Sequence, residues 1–173
     1  MDFRKIKFRQ AELDDAEHIG LLVVLLEIEL SDRAKTKQLN ILLEDTANSC
    51  YEMMKEGNYF AILGYVDGAI SAVATLSESY SLSGGGRIGM IQEFYVSPDI
   101  RSTGIGGKLM EEVKLFGHQK QWGCIDLSAP TIAKLDEHLG FYEGSGFEVM
   151  HAYRMRHFIN KPLVKNAKQA LTN

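Results

Sequence analysis

Three glycines within four positions, Gly104, Gly106 and Gly107, are the residues whose spacing points most directly to chemistry. They follow a strand-like run and open a run with helical periodicity. Because glycine lacks a Cβ, the backbone here can take a positive φ and let a ligand approach the peptide planes closely. The first N–H groups of a helix have no partner inside the helix, and the helix dipole favours an anion at that end. The spacing therefore predicts a cradle for a phosphate or pyrophosphate group.

Two common glycine-rich nucleotide motifs do not fit this loop. The P-loop pattern GxxxxGK[ST] would place its first glycine at Ser102 and its hydroxyl at Leu109. The dinucleotide pattern GxGxxG, counted from Gly104, would need a glycine at Leu109 as well. The loop is therefore either a different kind of phosphate site or a strand-to-helix turn that binds no ligand.

A carboxylate stands inside the apolar strand that precedes the glycine loop. In the run QEFYV, residues 92–96, strand alternation predicts Glu93 and Tyr95 on one face and the other three residues on the opposite face. A carboxylate at such a position is costly to bury unless it is paired or functional. Glu93 is therefore a candidate general base, and the alternative is an ion pair across the sheet with Arg87 or Arg154.

The rest of the sequence predicts eleven elements in the order βααβββαβαββ. The turn dipeptide Asp67-Gly68 predicts an antiparallel hairpin between two of the strands. Residues 159–173 contain three lysines and no acid, and we expect a tail there. In chain order, the elements are a strand Lys5–Arg9, a helix from Asp14 or Asp15 to near Leu30, a helix from about Gln38 to Glu56, strands Tyr59–Tyr65, Ala69–Ser79 and Ile88–Val96, a helix Gly106–Gln121, a strand Cys124–Leu127, a helix marked by Ile132, Leu135, Leu139 and Tyr142, and strands Phe147–Met150 and Tyr153–Phe158.

Two motifs on these elements resemble signatures of the GNAT N-acetyltransferase superfamily. The spacing Arg101-x-x-Gly104-x-Gly106 resembles its coenzyme A signature [RQ]xxGxG, and FYEGSGF, residues 141–147, resembles its FYxxxGF signature. The order of the two motifs and the elements that carry them match the family over about residues 3 to 158. The chain departs from the family at Leu135 and His138, where members often carry Asn and Ala.

The resemblance implies an α/β fold of the α+β type, with a central, mixed, mostly antiparallel sheet flanked by helices. Residues 1–158 are then a single GNAT domain, and residues 159–173 are its C-terminal tail. A chain of 173 residues with 45% hydrophobic content is long enough for one well-buried core, which agrees with a single domain.

The resemblance also implies an acetyl-CoA-dependent N-acetyltransferase that acts on a primary amine of a small molecule or peptide by direct transfer in a ternary complex. In the family, a glutamate on the strand before the glycine loop often takes the proton of the amine, and the matching residue here is Glu93. The tyrosine of the second motif protonates the coenzyme A sulfur, and the matching residue is Tyr142. A phenol with a pKa near 10 suits a thiolate leaving group. The alternative for Tyr142 is a plain core tyrosine.

Acetyl-CoA is the co-substrate that the resemblance implies, with its pyrophosphate against backbone N–H groups of the glycine loop. We expect the guanidinium of Arg101 to donate to a phosphate, and a backbone N–H near Tyr95 to stabilise the oxyanion. The residues assigned to the cofactor are Tyr95, Val96, Arg101, Ser102, Thr103, Gly104, Ile105, Gly106, Gly107 and Lys108.

Composition bears on the partners. Lys and Arg total 19 against 23 for Asp and Glu, so a net charge of −4 gives the chain no electrostatic reason to seek nucleic acid or an anionic membrane, and a cationic acceptor suits it better. Glu27, Glu29 and Asp32 fall where the family shapes its acceptor pocket. Asp126 is the next candidate base after Glu93.

Other features narrow the setting. The five histidines and two cysteines show no metal-binding spacing, so no metal is expected. The most apolar run, Ile19 to Leu26, is too short to span a bilayer, and the first ten residues have no signal-peptide core. We therefore expect a cytoplasmic protein with reduced thiols. The sequence leaves open a homodimer, an acyl group larger than acetyl, and a catalytically silent acyl-CoA-binding module.

Overall fold

The computed structural model describes residues 5–35, 42–129 and 135–150, and for residues 135–138 it describes the backbone. Within these ranges the chain forms five strands and four α-helices. A 3₁₀ turn at Leu13–Asp15 precedes α1, and another at Pro98–Ile100 follows β4. The elements are β1 Ile6–Gln10, α1 Ala16–Ala34, α2 Leu43–Lys55, β2 Tyr59–Val66, β3 Ala69–Ser81, β4 Gly86–Val96, α3 Ile105–Gln119, β5 Ile125–Leu127 and α4 Leu135–Gly144.

The strands form one sheet in the order β1-β2-β3-β4-β5. The first three pairs are antiparallel and β4 pairs with β5 in parallel, so the sheet is mixed and mostly antiparallel, as predicted. The β2–β3 hairpin turns at Asp67 and Gly68, whose φ angles of 51° and 89° are the left-handed values that this dipeptide favours.

Helices cover both faces of the sheet, and each face has its own hydrophobic cluster. On the α3 face, Leu109 and Val113 of α3 pack against strand residues such as Leu76, and all three are 0% exposed. On the α1–α2 face, Ile19 and Cys50 pack against residues that include Leu63, Val73 and Tyr95. Alternation along each strand divides its side chains between the two clusters.

A β-bulge in β4 lies beside the predicted base. The β3–β4 register shifts between Thr75 and Leu76, because β4 carries Gln92 as an extra residue. Gln92 Nε2 donates to Ser77 Oγ at 2.7 Å. Ser77 lies two residues from Thr75 on β3, so these two side chains share a face, and Thr75 pairs with Glu93. The side chain of Gln92 therefore lies on the face of Glu93. The prediction that Gln92 lies on the opposite face is therefore wrong, because simple alternation fails across a bulge.

The first nine elements follow the predicted order, but the chain departs from it after α4. Phe147–Met150 was predicted as a strand and forms none. Val149 and Met150 are 63% and 72% exposed, and no described strand lies beside them to complete a hydrogen-bonded ladder. The other predicted strand, Tyr153–Phe158, and the tail 159–173 lie outside the described residues.

Candidate active site

The glycine loop leads from β4 into the start of α3. Gly104 is the N-cap of α3 with a φ of 84°, a left-handed conformation that favours glycine. Lys108 N donates to Gly104 O at 3.2 Å. The N–H groups of Ile105, Gly106 and Gly107 precede it, so they have no carbonyl one turn earlier in the helix to bond. These three N–H groups lie at the positive end of the α3 dipole, where the phosphate cradle was predicted.

The described residues leave the space in front of this helix end open. A Cβ added at Gly104 or Gly107 would meet none of their heavy atoms within 4 Å. A Cβ added at Gly106 would lie 3.4 Å from the ring of Phe141 and 3.9 Å from Val96. The loop is therefore accessible to a ligand from the direction of Gly104 and Gly107, and Gly106 faces the contact between β4 and α4.

The side chains of the predicted cofactor residues do not all face this space. Ser102, Thr103 and Lys108 are exposed at the loop. Tyr95 and Ile105 are 5% and 1% exposed in the core, so only their backbone groups could reach a ligand. The assignment to the cofactor stays a prediction for all of them.

Arg101 was expected to donate to a phosphate, but its guanidinium is otherwise engaged in the structure. Its Nη1 and Nη2 donate to the two carboxylate oxygens of Glu29 on α1, at 2.7 and 2.6 Å. Its Nε donates to Val96 O at 2.8 Å, and its Cζ lies 5.7 Å from the centre of the Tyr95 ring. The bond to Glu29 raises the pKa of Arg101 further above its usual value. Arg101 thus links the glycine loop to β4 and α1.

One edge of β4 is unpaired next to the glycine loop. β5 pairs with β4 only from Gly89 to Ile91, so residues 92–96 have no strand partner on that side within the described chain. Ser97 N donates to Ser71 O on β3, and alternation therefore turns the N–H groups of Phe94 and Val96 toward the open edge. These two N–H groups, rather than that of Tyr95 itself, are the candidate oxyanion donors.

Glu93 lies beside this open edge on the α1–α2 face. Tyr59 Oη donates to its Oε2 at 2.8 Å, and Thr75 Oγ1 donates to the same oxygen. Glu93 N donates to Thr75 Oγ1 at 3.0 Å, which fixes the pair across the bulge. Burial raises the pKa of Tyr59, and the charge of Glu93 raises it further, so Tyr59 stays a donor. Among the described residues Oε1 has no hydrogen-bond partner.

The structural alternative for Glu93 was an ion pair with Arg87 or Arg154. Arg87 Nη1 instead lies 4.0 Å from the carboxylate of Glu78, and Arg154 lies outside the described residues. Over the part of the chain that the structure covers, Glu93 makes no ion pair. Two hydroxyls therefore hold the carboxylate, and one of its oxygens can still accept a proton.

Glu93 lines a cavity of about 340 Å³ between α1, α2 and the sheet. Burial raises the pKa of the Cys50 thiol in this wall to about 11, and the negative charge of Glu93 adds to the effect. The candidate base therefore lies in the same cavity as a wall of low polarity. The lining residues are Ile19, Gly20, Val23, Leu42, Asp45, Thr46, Ser49, Cys50, Met53, Tyr59 and Glu93.

Tyr142 lies on the other face of β4. Its ring packs edge-on against Phe94, Phe141 and Phe147, with ring centres 6.4, 5.2 and 6.2 Å away. Burial raises the pKa of Tyr142 above its usual value, so the phenol stays protonated at neutral pH. The structure does not bring Tyr142 and Glu93 together on one face; they flank β4 from opposite sides.

The acidic residues that were expected around the acceptor pocket do not line this cavity. Glu29 bonds Arg101 and also lies 2.5 Å from Arg33, and neither Glu27 nor Asp32 is part of the wall. Asp126 is exposed on β5.

No group of three or more metal-binding side chains occurs within the described ranges. No helix in those ranges is both long enough and apolar enough to cross a membrane.

Sequence reasoning missed the residues that hold and surround Glu93. Tyr59 and Thr75 lie 34 and 18 positions away from it, and Thr75 faces it only because of the β3–β4 register. The only sequence feature that bore on these contacts was the predicted hairpin, which places β3 beside β2. No pattern in the sequence indicated that Asp45 and the other α2 residues would line the cavity.

Comparison with known proteins agrees with this arrangement. The family model described as acetyltransferase (GNAT) domain matches residues 55–149, which is more than half of the chain. The matched segment runs from the end of α2 past α4 and so contains Glu93, the glycine loop and Tyr142. A comparison with curated protein sequences gave no match.

Solved structures share the fold at low sequence identity. A possible acetyltransferase from Clostridium difficile 630 has a TM-score of 0.71 and 17% identity, covering 90% of this chain and 99% of that one. A predicted acetyltransferase with acetyl-CoA from Clostridium acetobutylicum has a TM-score of 0.70 and 18% identity, over 88% and 96% of the chains. An aminoglycoside acetyltransferase from an uncultured soil metagenomic sample, in complex with trehalose, has a TM-score of 0.70 and 16% identity, over 90% and 97%. At these identities the likeness shows the fold.

Proposed function

Because this chain belongs to the GNAT acetyltransferase family, we propose that it transfers an acetyl group from acetyl-CoA to a primary amine of a small molecule or peptide, within a ternary complex. The observation that carries the proposal is the position of Glu93. Its carboxylate lines a cavity large enough for a small amine and lies beside the open edge of β4.

The loop fits the cofactor that the family uses. The unbonded N–H groups at the start of α3, in front of an open space, suit a pyrophosphate. The open edge of β4 offers backbone donors to the part of the cofactor that carries the thioester. Acetyl-CoA would supply the activated carbonyl, and the protein would supply the proton transfers and the oxyanion donors.

Each step of the proposed acetyl transfer can then be assigned to a group of the protein. Glu93 Oε1 takes the proton of the amine, because Oε2 is already bonded to Tyr59 and Thr75. The N–H groups of Phe94 and Val96 donate to the carbonyl oxygen as it gains negative charge. Tyr142 keeps its proton at neutral pH and gives it to the departing sulfur.

The decisive experiment measures thiol release from acetyl-CoA with a panel of amines and compares the wild type with Glu93→Gln. We expect the variant to bind coenzyme A nearly as well and to turn over about 10²–10⁴-fold more slowly at neutral pH. Alkaline pH should restore part of the rate, because more of the amine is then already deprotonated and needs no base.

Glu78→Gln is the matched control. Glu78 is also a half-buried carboxylate in the sheet, bonded to Trp122 and outside the cavity, so turnover should change little. Full activity of Glu93→Gln with an unchanged pH profile would assign the base elsewhere, with Asp126 next. Coenzyme A binding without thiol release from any amine would support the silent binding module instead.

A further inference from the structure

From the walls of the Glu93 cavity, we infer that the acceptor is a primary amine carried on a small apolar body, such as an arylalkylamine or a short alkylamine. The inference rests on the proposed function and names the substrate class of the same site. It depends on three features of the cavity: the character of its wall, the sign of its charged groups, and its size.

The wall is mostly apolar from its floor to its rim. Ile19 and Cys50, 1% and 4% exposed, form the floor, and Val23 is half-buried beside them. Leu42 and Met53, 43% and 40% exposed, lie at the rim. An acceptor that enters between α1 and α2 therefore meets aliphatic and thioether groups along its length, and an apolar body gains by leaving water there.

Two of the three hydroxyl groups that the described residues contribute to the wall are already engaged. Thr46 Oγ1 already donates to Leu42 O at 2.8 Å, and Tyr59 Oη donates to Glu93. An aminosugar would bury many hydroxyl groups against this wall without partners, which is costly. Ser49 is the other hydroxyl in the wall, and it cannot satisfy such a ligand alone.

Both charged residues that the described part of the chain contributes to the wall are acidic. Asp45 lies in the exposed first turn of α2, and Glu93 lies at the sheet. Two carboxylates suit a single ammonium that enters past Asp45 and delivers its nitrogen to Glu93. Among the described residues no Lys, Arg or His lines the cavity, so none of them offers a cationic partner to the carboxylate of a free amino acid there.

The volume agrees with a small acceptor. About 340 Å³ is near the lower end of the range for small-molecule sites. Gly20 contributes to this compactness, because a Cβ at its position would lie 3.1–3.3 Å from atoms of Ala47 on α2. The two helices therefore pack closely beside the cavity.

The first test compares four amines at a fixed acetyl-CoA concentration: 2-phenylethylamine, spermidine, kanamycin and lysine. We expect kcat/KM for 2-phenylethylamine to exceed the others by at least about tenfold. Calorimetry with coenzyme A present should also detect binding of 2-phenylethylamine to the intact protein.

The outcomes separate the inference from the proposed function. Faster turnover of kanamycin, spermidine or lysine, lost in Glu93→Gln, would overturn the inference and leave the proposed function standing. Binding of 2-phenylethylamine without turnover of any amine would support the cavity as a site for an apolar amine, but it would remove the proposed function and with it the role of that amine as acceptor. Neither binding nor turnover would overturn both.

Paired variants place the amine in this cavity. Asp45→Asn should raise KM for 2-phenylethylamine about two- to fivefold with kcat nearly unchanged, while Glu44→Gln, its neighbour outside the wall, should have no effect. Leu42→Gln should raise the same KM about fivefold, while Leu43→Gln, similarly exposed at 38% and outside the wall, should not. Equal effects within each pair would overturn the assignment of the cavity.

Discussion

The ion pair between Arg101 and Glu29 permits the sharpest test of how the glycine loop is held. Their side chains are 33% and 22% exposed, and both terminal nitrogens of Arg101 contribute to the pair. Exposed ion pairs contribute about 0–1 kcal/mol, whereas hydrogen bonds to charged groups contribute about 1.5–3 kcal/mol each. For this half-buried, bidentate pair we expect a coupling free energy of about 1–2 kcal/mol.

The perturbation is the double-mutant cycle of Arg101→Gln and Glu29→Gln. The cycle is necessary because Glu29 also pairs with Arg33, so the Glu29 variant alone loses more than one contact. A coupling of 1–2 kcal/mol corresponds to about 2–8 °C in Tm for a chain of this length. Arg101→Lys should resemble Arg101→Gln, because lysine cannot make the bidentate contact.

Binding of coenzyme A separates the two roles of Arg101. If Arg101 acts by tethering the loop to α1, both single variants should weaken coenzyme A by factors within about twofold of each other, and the double variant should weaken it little more. If Arg101 acts by donating to phosphate, Arg101→Gln should weaken binding, and Glu29→Gln should leave it intact or tighten it by releasing the guanidinium. The second pattern would refute the tether.

Three further predictions concern other parts of the fold. In a thermal-shift assay, coenzyme A at a hundredfold excess over Kd should stabilise the protein by about 2.7 kcal/mol. Gly104→Val should abolish this stabilisation, because valine strains the φ of 84°. Gly107→Ala should retain it, because the described residues leave open space around the added Cβ. Tyr142→Phe should keep the fold and coenzyme A binding and lower kcat at least about tenfold in the thiol-release assay; full activity would remove Tyr142 from the mechanism. Asp15→Asn should lower Tm at neutral pH. The bonds from Arg9 hold the pKa of Asp15 below its ordinary value of 3.8, so the stabilisation is present above that value and lost as the pH falls through the folded pKa. A difference in Tm that does not shrink as the pH is lowered below 3.8 would contradict this reasoning.

Features that depend on neighbouring residues could be predicted from the sequence. The glycine spacing gave the start of α3, and the Asp67-Gly68 dipeptide gave the hairpin, because each depends on backbone preferences within a few residues. The end of α1 was predicted near Leu30, yet the helix continues to Ala34. A pair between Glu29 and Arg33, one turn apart, supports these last residues, but a single pair of this kind contributes too little to fix a helix end in advance.

Features that depend on distant pairings could not be predicted. Arg101 and Glu29 are 72 positions apart, so nothing near the glycine motif signalled that the guanidinium would face α1. The partners of Glu93 depend on a register that one extra residue, Gln92, displaces. A shift of one residue in a strand changes which side chains share a face, so the site had to be located by the structure.

The two candidate catalytic residues gain from lying on opposite faces of β4. A carboxylate within reach of the Tyr142 hydroxyl would accept its hydrogen bond and compete with the departing sulfur for the proton. Glu93 instead accepts hydrogen bonds from Tyr59 and Thr75 on its own face, away from the Tyr142 hydroxyl. Tyr142 lies among aromatic rings, where burial keeps it protonated. In the proposed reaction the proton therefore enters the protein on the amine side of β4 and leaves from the sulfur side. The open edge between them is where the backbone N–H groups of β4 can bind the oxyanion.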